Sequence, residues 1–209
     1  MKKLAVFDFD STLMNGETIE IIANEVGLKK EVAEVTARAM AGELDFFDSL
    51  IYRVSLLKGI KESKVNEICQ NLPYMNGAKE TIASLKKRGF TVVCFSGGFK
   101  NATSFAKDVL GYDADFSNIL HVKDGLLTGN VGGEMMFSNS KGEMLKRIQA
   151  IIGATYDSTV VVGDGANDLS MFKYANIKVA FCAKPCLKEA CNICLEEKDL
   201  RLLLDKISI

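Results

Sequence analysis

Four short runs dense in apolar residues punctuate the chain: "KLAVFDFD" from Lys3, "FTVVCFSGG" from Phe90, "STVVVGDGAND" from Ser158 and "IKVAFCAKP" from Ile177. Each has the length and the Val, Phe and Ala content of a buried strand. Between them "AKETIASLKKRG", "KNATSFAKDVLG" and "SKGEMLKRIQAIIG" carry apolar residues at helical spacing and close on Gly89, Gly111 and Gly153, natural helix stops. Strands alternating with helices predict a parallel sheet with helices on both faces. "NILHVKDGLLTGNVGGEMMF" reads instead as a small β-hairpin insert around an Asp124-Gly125 turn. Residues 14–73 read as helix after helix with no strand. The pattern predicts an α/β, Rossmann-like core from residues 1–13 and 74–209, with residues 14–73 as a helical cap inserted after the first strand.

The ends of the strand runs carry the candidate chemistry. They are Asp8 and Asp10, Ser96-Gly97-Gly98, and Asp164-Gly165-Ala166-Asn167-Asp168. In an open parallel sheet the carboxyl ends of the strands share one edge, where ligands bind. Strand residues two apart point the same way, so Asp8 and Asp10 should crowd together. Like charges that close repel and raise each other's pKa. Four acids converging on one crevice need a cation, and hard oxygen ligands without histidine or thiol point to Mg²⁺.

Composition removes competing readings. A chain of 209 residues, 48% apolar, can bury a real core. Its net charge of -1, with no basic stripe, argues against nucleic acid. No apolar stretch approaches a membrane span, and the run after "MKK" is too short for a signal peptide. The six cysteines are therefore expected to be reduced thiols in the cytoplasm. Cys182, Cys186, Cys191 and Cys194 could suggest zinc, but their place in apolar runs favours core packing. His121 is the sole histidine, which removes two-histidine phosphatase chemistry. No cysteine is followed by the Arg of an anion loop, and no P-loop pattern occurs. Nothing in the pattern separates a monomer from a homodimer.

"DFDST", Ser96 at the end of "VVCFSGG", Lys141 and "GDGAND" resemble, in order, the four motifs of the haloacid dehalogenase superfamily. "FDFDSTLMNGETIE", "YRVSLLKG", "FSGGF", "KDGLLTG" and "VGDGANDLSMF" resemble its phosphoserine phosphatase branch. That resemblance implies Asp8 as a nucleophile forming an aspartyl-phosphate, and Asp10 as general acid and base. It implies Mg²⁺ on the Asp8 carboxylate, the Asp10 carbonyl and Asp164, with Asp168 helping directly or from behind. It implies Ser96, Gly97, Lys141 and Asn167 as the phosphate cradle. Alone, each of these residues would read as a turn, a cap or a solvated lysine.

Arg53 is a candidate on physical grounds. In "FFDSLIYRVSLLKG" it falls within the stripe of Phe46, Leu50 and Leu57, opposite Asp48, Ser55 and Lys58. An inward-pointing Arg wants an anion, and its planar fork suits a carboxylate. Glu17, by contrast, reads as an acid in the first turn of a helix, favoured there by the dipole. The resemblance implies that Arg53 holds a substrate carboxylate, Glu17 an ammonium, and that Met40 and Phe46 line the pocket. The implied substrate is the small molecule O-phosphoserine, cleaved to serine and phosphate as serine biosynthesis ends. Another small phosphate ester, or transfer to an alcohol, stays open on the residues alone. A receiver-type signalling module fits poorly, since it lacks a helical insert and the second acid.

Overall fold

The computed structural model describes residues 2–40 and 44–207, the side chains of residues 37, 39 and 40 excepted. Its first strand, β1 (Lys2–Asp8), is buried on both faces, so its sequence runs apolar without alternation. Ala5 and Phe7 enter one core layer and Leu4 and Val6 the other. The strand β2 (Phe90–Phe99) divides likewise, Val92 and Cys94 against Val93 and Phe95.

Further along the chain come β3 (Ala114–Lys123), β4 (Leu126–Gly133), β5 (Ala154–Gly163), β6 (Ile177–Phe181) and β7 (Ile193–Leu195). Among the described residues these seven strands form one sheet in the order β4-β3-β2-β1-β5-β6-β7. Every neighbouring pair is parallel except β3 with β4. The α/β expectation holds, with two refinements. The hairpin turns at Asp124 and Gly125, both left-handed (φ 53° and 75°), but it is no separate insert. The strand β3 also pairs with β2, Val93 opposite Ala114 and Phe95 opposite Phe116, so the hairpin is the sheet's continuation. The three-residue strand β7 is too short to show as an apolar run.

Among the described residues five α-helices separate β1 from β2: α1 (Thr18–Glu25), α2 (Lys29–Met40), α3 (Phe46–Ser55), α4 (Glu62–Gln70) and α5 (Ala78–Lys87). Further on come α6 (Lys100–Leu110), α7 (Ser140–Ile152) and the single turn α8 (Leu169–Phe172). Ile82 and Leu85 of α5 and Ala102 and Ala106 of α6 fill the layer of Phe7; Leu145 and Ile148 of α7 fill that of Val6. Gly111 and Gly153 end α6 and α7 left-handed (φ 83° and 74°), whereas α5 stops at Lys87, two residues before Gly89.

All six cysteines are free. Cys69 and Cys94 are buried, but of the four cysteines expected to pack in the core Cys182 and Cys191 are only part-buried and Cys186 and Cys194 are exposed. Cys194 lies on the outermost strand β7, where its thiol donates to Glu196 Oε1 at 3.1 Å. No helix among the described residues is long and apolar enough to cross a membrane.

The packing of α7 against α8 leaves Gly142 no room. A Cβ there would sit 2.5 Å from the Ser170 carbonyl oxygen, a backbone atom that cannot swing away. Gly142→Ala should therefore cost about 1–3 kcal/mol in a denaturant titration, the range for overpacking. Lys146→Ala, on the exposed side of the same helix, should stay within about 0.5 kcal/mol. Equal stability of the two variants would contradict this packing.

Candidate active site

Strand β1 ends at Asp8, and residues 9–13 turn away from it in a wide helical loop. The Asp8 carboxylate starts that turn by accepting the Phe9 N–H at 2.7 Å, and Ser11 takes a left-handed φ of 58°. Asp10 is thus not one pleat further along the strand, which corrects the expected side-by-side crowding of the two acids. The loop carries Asp10 to the mouth of the crevice, where its Oδ1 accepts from the Thr18 N–H (2.8 Å) and hydroxyl (2.5 Å).

The space beside Asp8 is taken by Lys141, from the first turn of α7. Its buried ammonium lies 2.6 Å from Asp8 Oδ1 and 2.6 Å from Asp168 Oδ1. The second Asp168 oxygen accepts the N–H groups of Asp164 and Gly165, each at 3.0 Å. Asp168 thereby fixes the loop after β5. A Cβ on Gly163 would meet the Asp168 carboxyl at 2.3 Å, so only glycine permits this approach. Asp8, Asp164 and Asp168 each offer an oxygen within 4.8 Å of the others; among the described residues no other such group of acidic, thiol or imidazole ligands is found.

From β2 come Ser96, fully buried, whose Oγ accepts the Gly98 N–H at 2.9 Å, and two glycines the site requires. A Cβ on Gly97 would strike the Phe46 ring at 2.9 Å, and one on Gly98 would strike Asp10 Oδ2 at 2.8 Å. The Asn167 amide nitrogen is 3.9 Å from the same point on Gly97. Above these residues opens a cavity of about 460 Å³, reaching Glu17, Phe46 and Arg53.

Burial dominates the electrostatics. It raises the Asp8 pKa well above the carboxylate range; Asp168 adds to the rise and Lys141 opposes it. Burial also raises Asp10, against the hydrogen bonds from Thr18. Asp164 is pushed up to about 7 by burial, then by Asp168 and Glu17. For Lys141 burial pulls the pKa down, but Asp168 and Asp8 together outweigh it. One ammonium thus faces three carboxylates, and a divalent cation would restore the balance. Clustered oxygen donors without sulfur or imidazole fit Mg²⁺.

Of the sequence candidates, Asp8, Asp10, Glu17, Phe46, Arg53, Gly97, Asp164 and Asn167 line this cavity, while Ser96, Lys141 and Asp168 lie beneath it. The Met40 side chain falls outside the described residues. Glu17 is corrected in detail: it precedes α1 as its N-cap without capping it, and accepts instead from the Ser11 hydroxyl at 2.8 Å. Arg53 is half-buried and donates from Nε to the Ser49 carbonyl at 3.2 Å. Burial lowers its pKa while the Glu17 charge supports it.

Thr18, Ser49 and Lys184 escaped the sequence reading. Ser49 lines the cavity with a buried hydroxyl that has no partner among the described residues. Lys184 was findable, because the rule that strand ends meet ligands applies equally to "KVAFCAKP" after β6. Nothing in the sequence singles out Thr18.

The family model of the haloacid dehalogenase-like hydrolases matches residues 2–176. The chain is 61% identical to the phosphoserine phosphatase of Wolinella succinogenes, over 97% of its own length and 98% of the relative's. It is 52% identical to that of Methanocaldococcus jannaschii over 99% and 98%. Among solved structures, a phospho-aspartyl intermediate analogue of phosphoserine phosphatase superposes with a TM-score of 0.93 at 52% identity, covering 99% of both chains. A substrate-bound phosphoserine phosphatase complex gives 0.94 at 51% identity, covering 100% of this chain and 99% of that one. The chain belongs to the haloacid dehalogenase-like hydrolases, and within them to the phosphoserine phosphatase family. Phosphatases of this superfamily generally use Mg²⁺, in keeping with the acidic cluster.

Glu17 gives the site a pH signature. Burial, then the Asp10 charge, raises its pKa from 4.5 to about 7. The folded chain then holds this proton more tightly than the unfolded chain, so Glu17 costs no stability below pH 4.5 and progressively more up to about pH 7. In metal-free buffer, Glu17→Gln should gain stability relative to the native chain as pH rises through that window. Parallel melting profiles across it would mean that Glu17 titrates normally.

Proposed function

We propose that the chain hydrolyses O-phospho-L-serine to L-serine and phosphate through an aspartyl-phosphate on Asp8. The observation that carries the reading is the arrangement around Asp8. Its Oδ1 is held by Lys141 and the Phe9 N–H, leaving Oδ2 to attack phosphorus. Asp10 is held the same way: Thr18 occupies Oδ1, and burial favours a proton on the acid.

In the first step the bond from Asp8 Oδ2 to phosphorus forms as the bond from phosphorus to the serine oxygen breaks. Asp10 gives its proton to that oxygen, a poor leaving group without it. In the second step Asp10 takes a proton from water, whose oxygen attacks phosphorus and frees Asp8 and phosphate. Ser96, Gly97, Asn167 and Lys141 hold the phosphoryl oxygens, Lys141 offsetting the developing charge. Mg²⁺, held by the carboxylates of Asp8 and Asp164 and the Asp10 carbonyl, with Asp168 behind, would neutralise the repulsion between carboxylate and phosphate. Asp168 stands behind because both its oxygens already serve Lys141 and the loop amides.

Specificity follows from the opposite wall. Arg53 takes the substrate carboxylate, Glu17 takes the ammonium, and Phe46 closes one side. In this reading residues 14–73 act as the cap that selects substrate, over a catalytic core of residues 1–13 and 74–209. Six unpaired thiols support a cytoplasmic enzyme, monomeric or homodimeric.

Phosphate release from phosphoserine should require added Mg²⁺ and cease in excess chelator. Arg53→Ala should cost phosphoserine on the order of 2–5 kcal/mol in kcat/KM, the range for stranding one member of a buried charge pair. p-Nitrophenyl phosphate, which lacks a carboxylate, should lose little, and phosphoethanolamine should already be poor with the native enzyme. A native enzyme that ignores phosphoserine, or an Arg53→Ala loss equal for all three esters, would overturn the assignment.

A further inference from the structure

The two ends of α3 are attached to the rest of the molecule in different ways. Beyond its C-terminal end, backbone hydrogen bonds tie the chain to the β3–β4 hairpin: Gly59 N–H to Leu127 O (2.8 Å), Leu127 N–H to Ile60 O (2.8 Å) and Glu62 N–H to Gly125 O (3.0 Å). Gly129, left-handed at φ 83°, lets β4 approach so closely that a Cβ there would sit 3.3 Å from Ser55 O. This end is fastened. At the N-terminal end the tie to the segment after β4 is aromatic. The rings of Phe47 and Phe137 stack with centroids 5.1 Å apart and planes 6° from parallel.

Phe137 belongs to the segment between β4 and α7, and it is 57% exposed despite the stack. Its own backbone is anchored. The Phe137 N–H donates to Ser140 Oγ at 3.1 Å, and the Ser140 N–H donates to Phe137 O at 3.0 Å. The next residue is Lys141. The stack therefore joins the first turn of α3 to the structure that presents the buried lysine. On the α3 side, Phe47 follows Phe46, whose ring covers Gly97, and precedes Arg53 by fewer than two helical turns.

We propose that Phe47 and Phe137 are positioning residues, a solvent-facing aromatic latch that holds the N-terminal end of α3 over the pocket. The proposal rests on the phosphoserine reading above, because it acts through Phe46 and Arg53. A ten-residue helix is about 15 Å long, so a pivot of about 10° at its fastened end moves the other end about 2.6 Å. That displacement lifts Phe46 off Gly97; Arg53, two residues before the end of the helix, shifts by only a fraction of it, enough to tilt its planar fork relative to a carboxylate. Phe137 is exposed, and Phe47 is part-buried against the core beneath it, so the contact between the two rings can part to admit substrate and close again. Its weight is that of an aromatic pair, about a 2- to 12-fold shift toward the closed arrangement.

The test is a double-mutant cycle on kcat/KM with phosphoserine and p-nitrophenyl phosphate, using Phe47→Ala, Phe137→Ala and the double variant. Each single variant should lose about 2- to 12-fold on phosphoserine, chiefly through KM, and the double variant should lose no more than either single one. The aryl ester, which offers Arg53 nothing, should change less than 2-fold. Phe137→Trp should retain activity and, as the sole tryptophan in a chain with none, should be better shielded from acrylamide when serine, phosphate and Mg²⁺ are bound. Phe47→Ala should abolish that shielding. Native kinetics in both alanine variants, independent losses that multiply in the double variant, or equal losses on both esters would overturn the latch. Inactivity of the native enzyme on phosphoserine would instead overturn the reading on which it rests.

Discussion

A single buried ammonium organises this molecule's chemistry. Lys141 sits between Asp8 and Asp168, 2.6 Å from each, and thereby joins α7, β1 and the loop after β5 at one point. Two carboxylates buried this deeply would not both stay ionised without it. The pair geometry also divides labour within each acid. Asp8 keeps one oxygen for Lys141 and one for the pocket, whereas Asp168 spends both on the scaffold. Breaking such a network by removing one partner costs several kcal/mol, about 3–5, because a charge is left buried and alone. The cluster is thus a structural keystone and, in the proposed function, the reactive centre as well.

The sheet makes that junction possible. Strands β2 and β5 flank β1, so Ser96, Asp8 and Asp164 emerge from adjacent strands at one edge. Glycine is required where backbone must come close: Gly97 under Phe46, Gly98 beside Asp10, Gly163 against Asp168. The helices between β1 and β2 bring a different chemistry to the opposite wall, with one acid and one base, Glu17 and Arg53, facing the same cavity. In the proposed reading, phosphate chemistry falls to the sheet edge and recognition of the rest of the substrate to the helices. The hairpin serves both, as the end of the sheet and as the seat of the C-terminal end of α3.

Much of this is legible in the amino-acid sequence. Strands buried on both faces announce themselves as unbroken apolar runs, and β1, β2, β5 and β6 were read that way. Arg53 was legible because a charged residue inside an apolar stripe breaks the helical pattern. What stayed hidden depends on local hydrogen bonding or on edges. The turn at residues 9–13 follows from the Asp8 side chain capping its own strand, which no periodicity records. Strand β3 lies near the sheet's edge and carries polar residues such as Asp115 and Asn118, so it read as part of a hairpin alone. The place of Glu17 as an uncapping N-cap residue, bound to Ser11, was likewise invisible.

In the proposed mechanism Asp8 becomes phosphorylated during turnover, because Lys141 and the Phe9 amide hold one of its oxygens and leave the other free. The direct measurement is a rapid acid quench of the enzyme mixed with excess phosphoserine and Mg²⁺, followed by peptide mapping by mass spectrometry. A phosphoryl group should appear on the peptide containing Asp8, formed no slower than serine is released and absent in Asp8→Asn. Turnover at the normal rate with no phosphorylated peptide, or with the phosphoryl group on another residue, would contradict it.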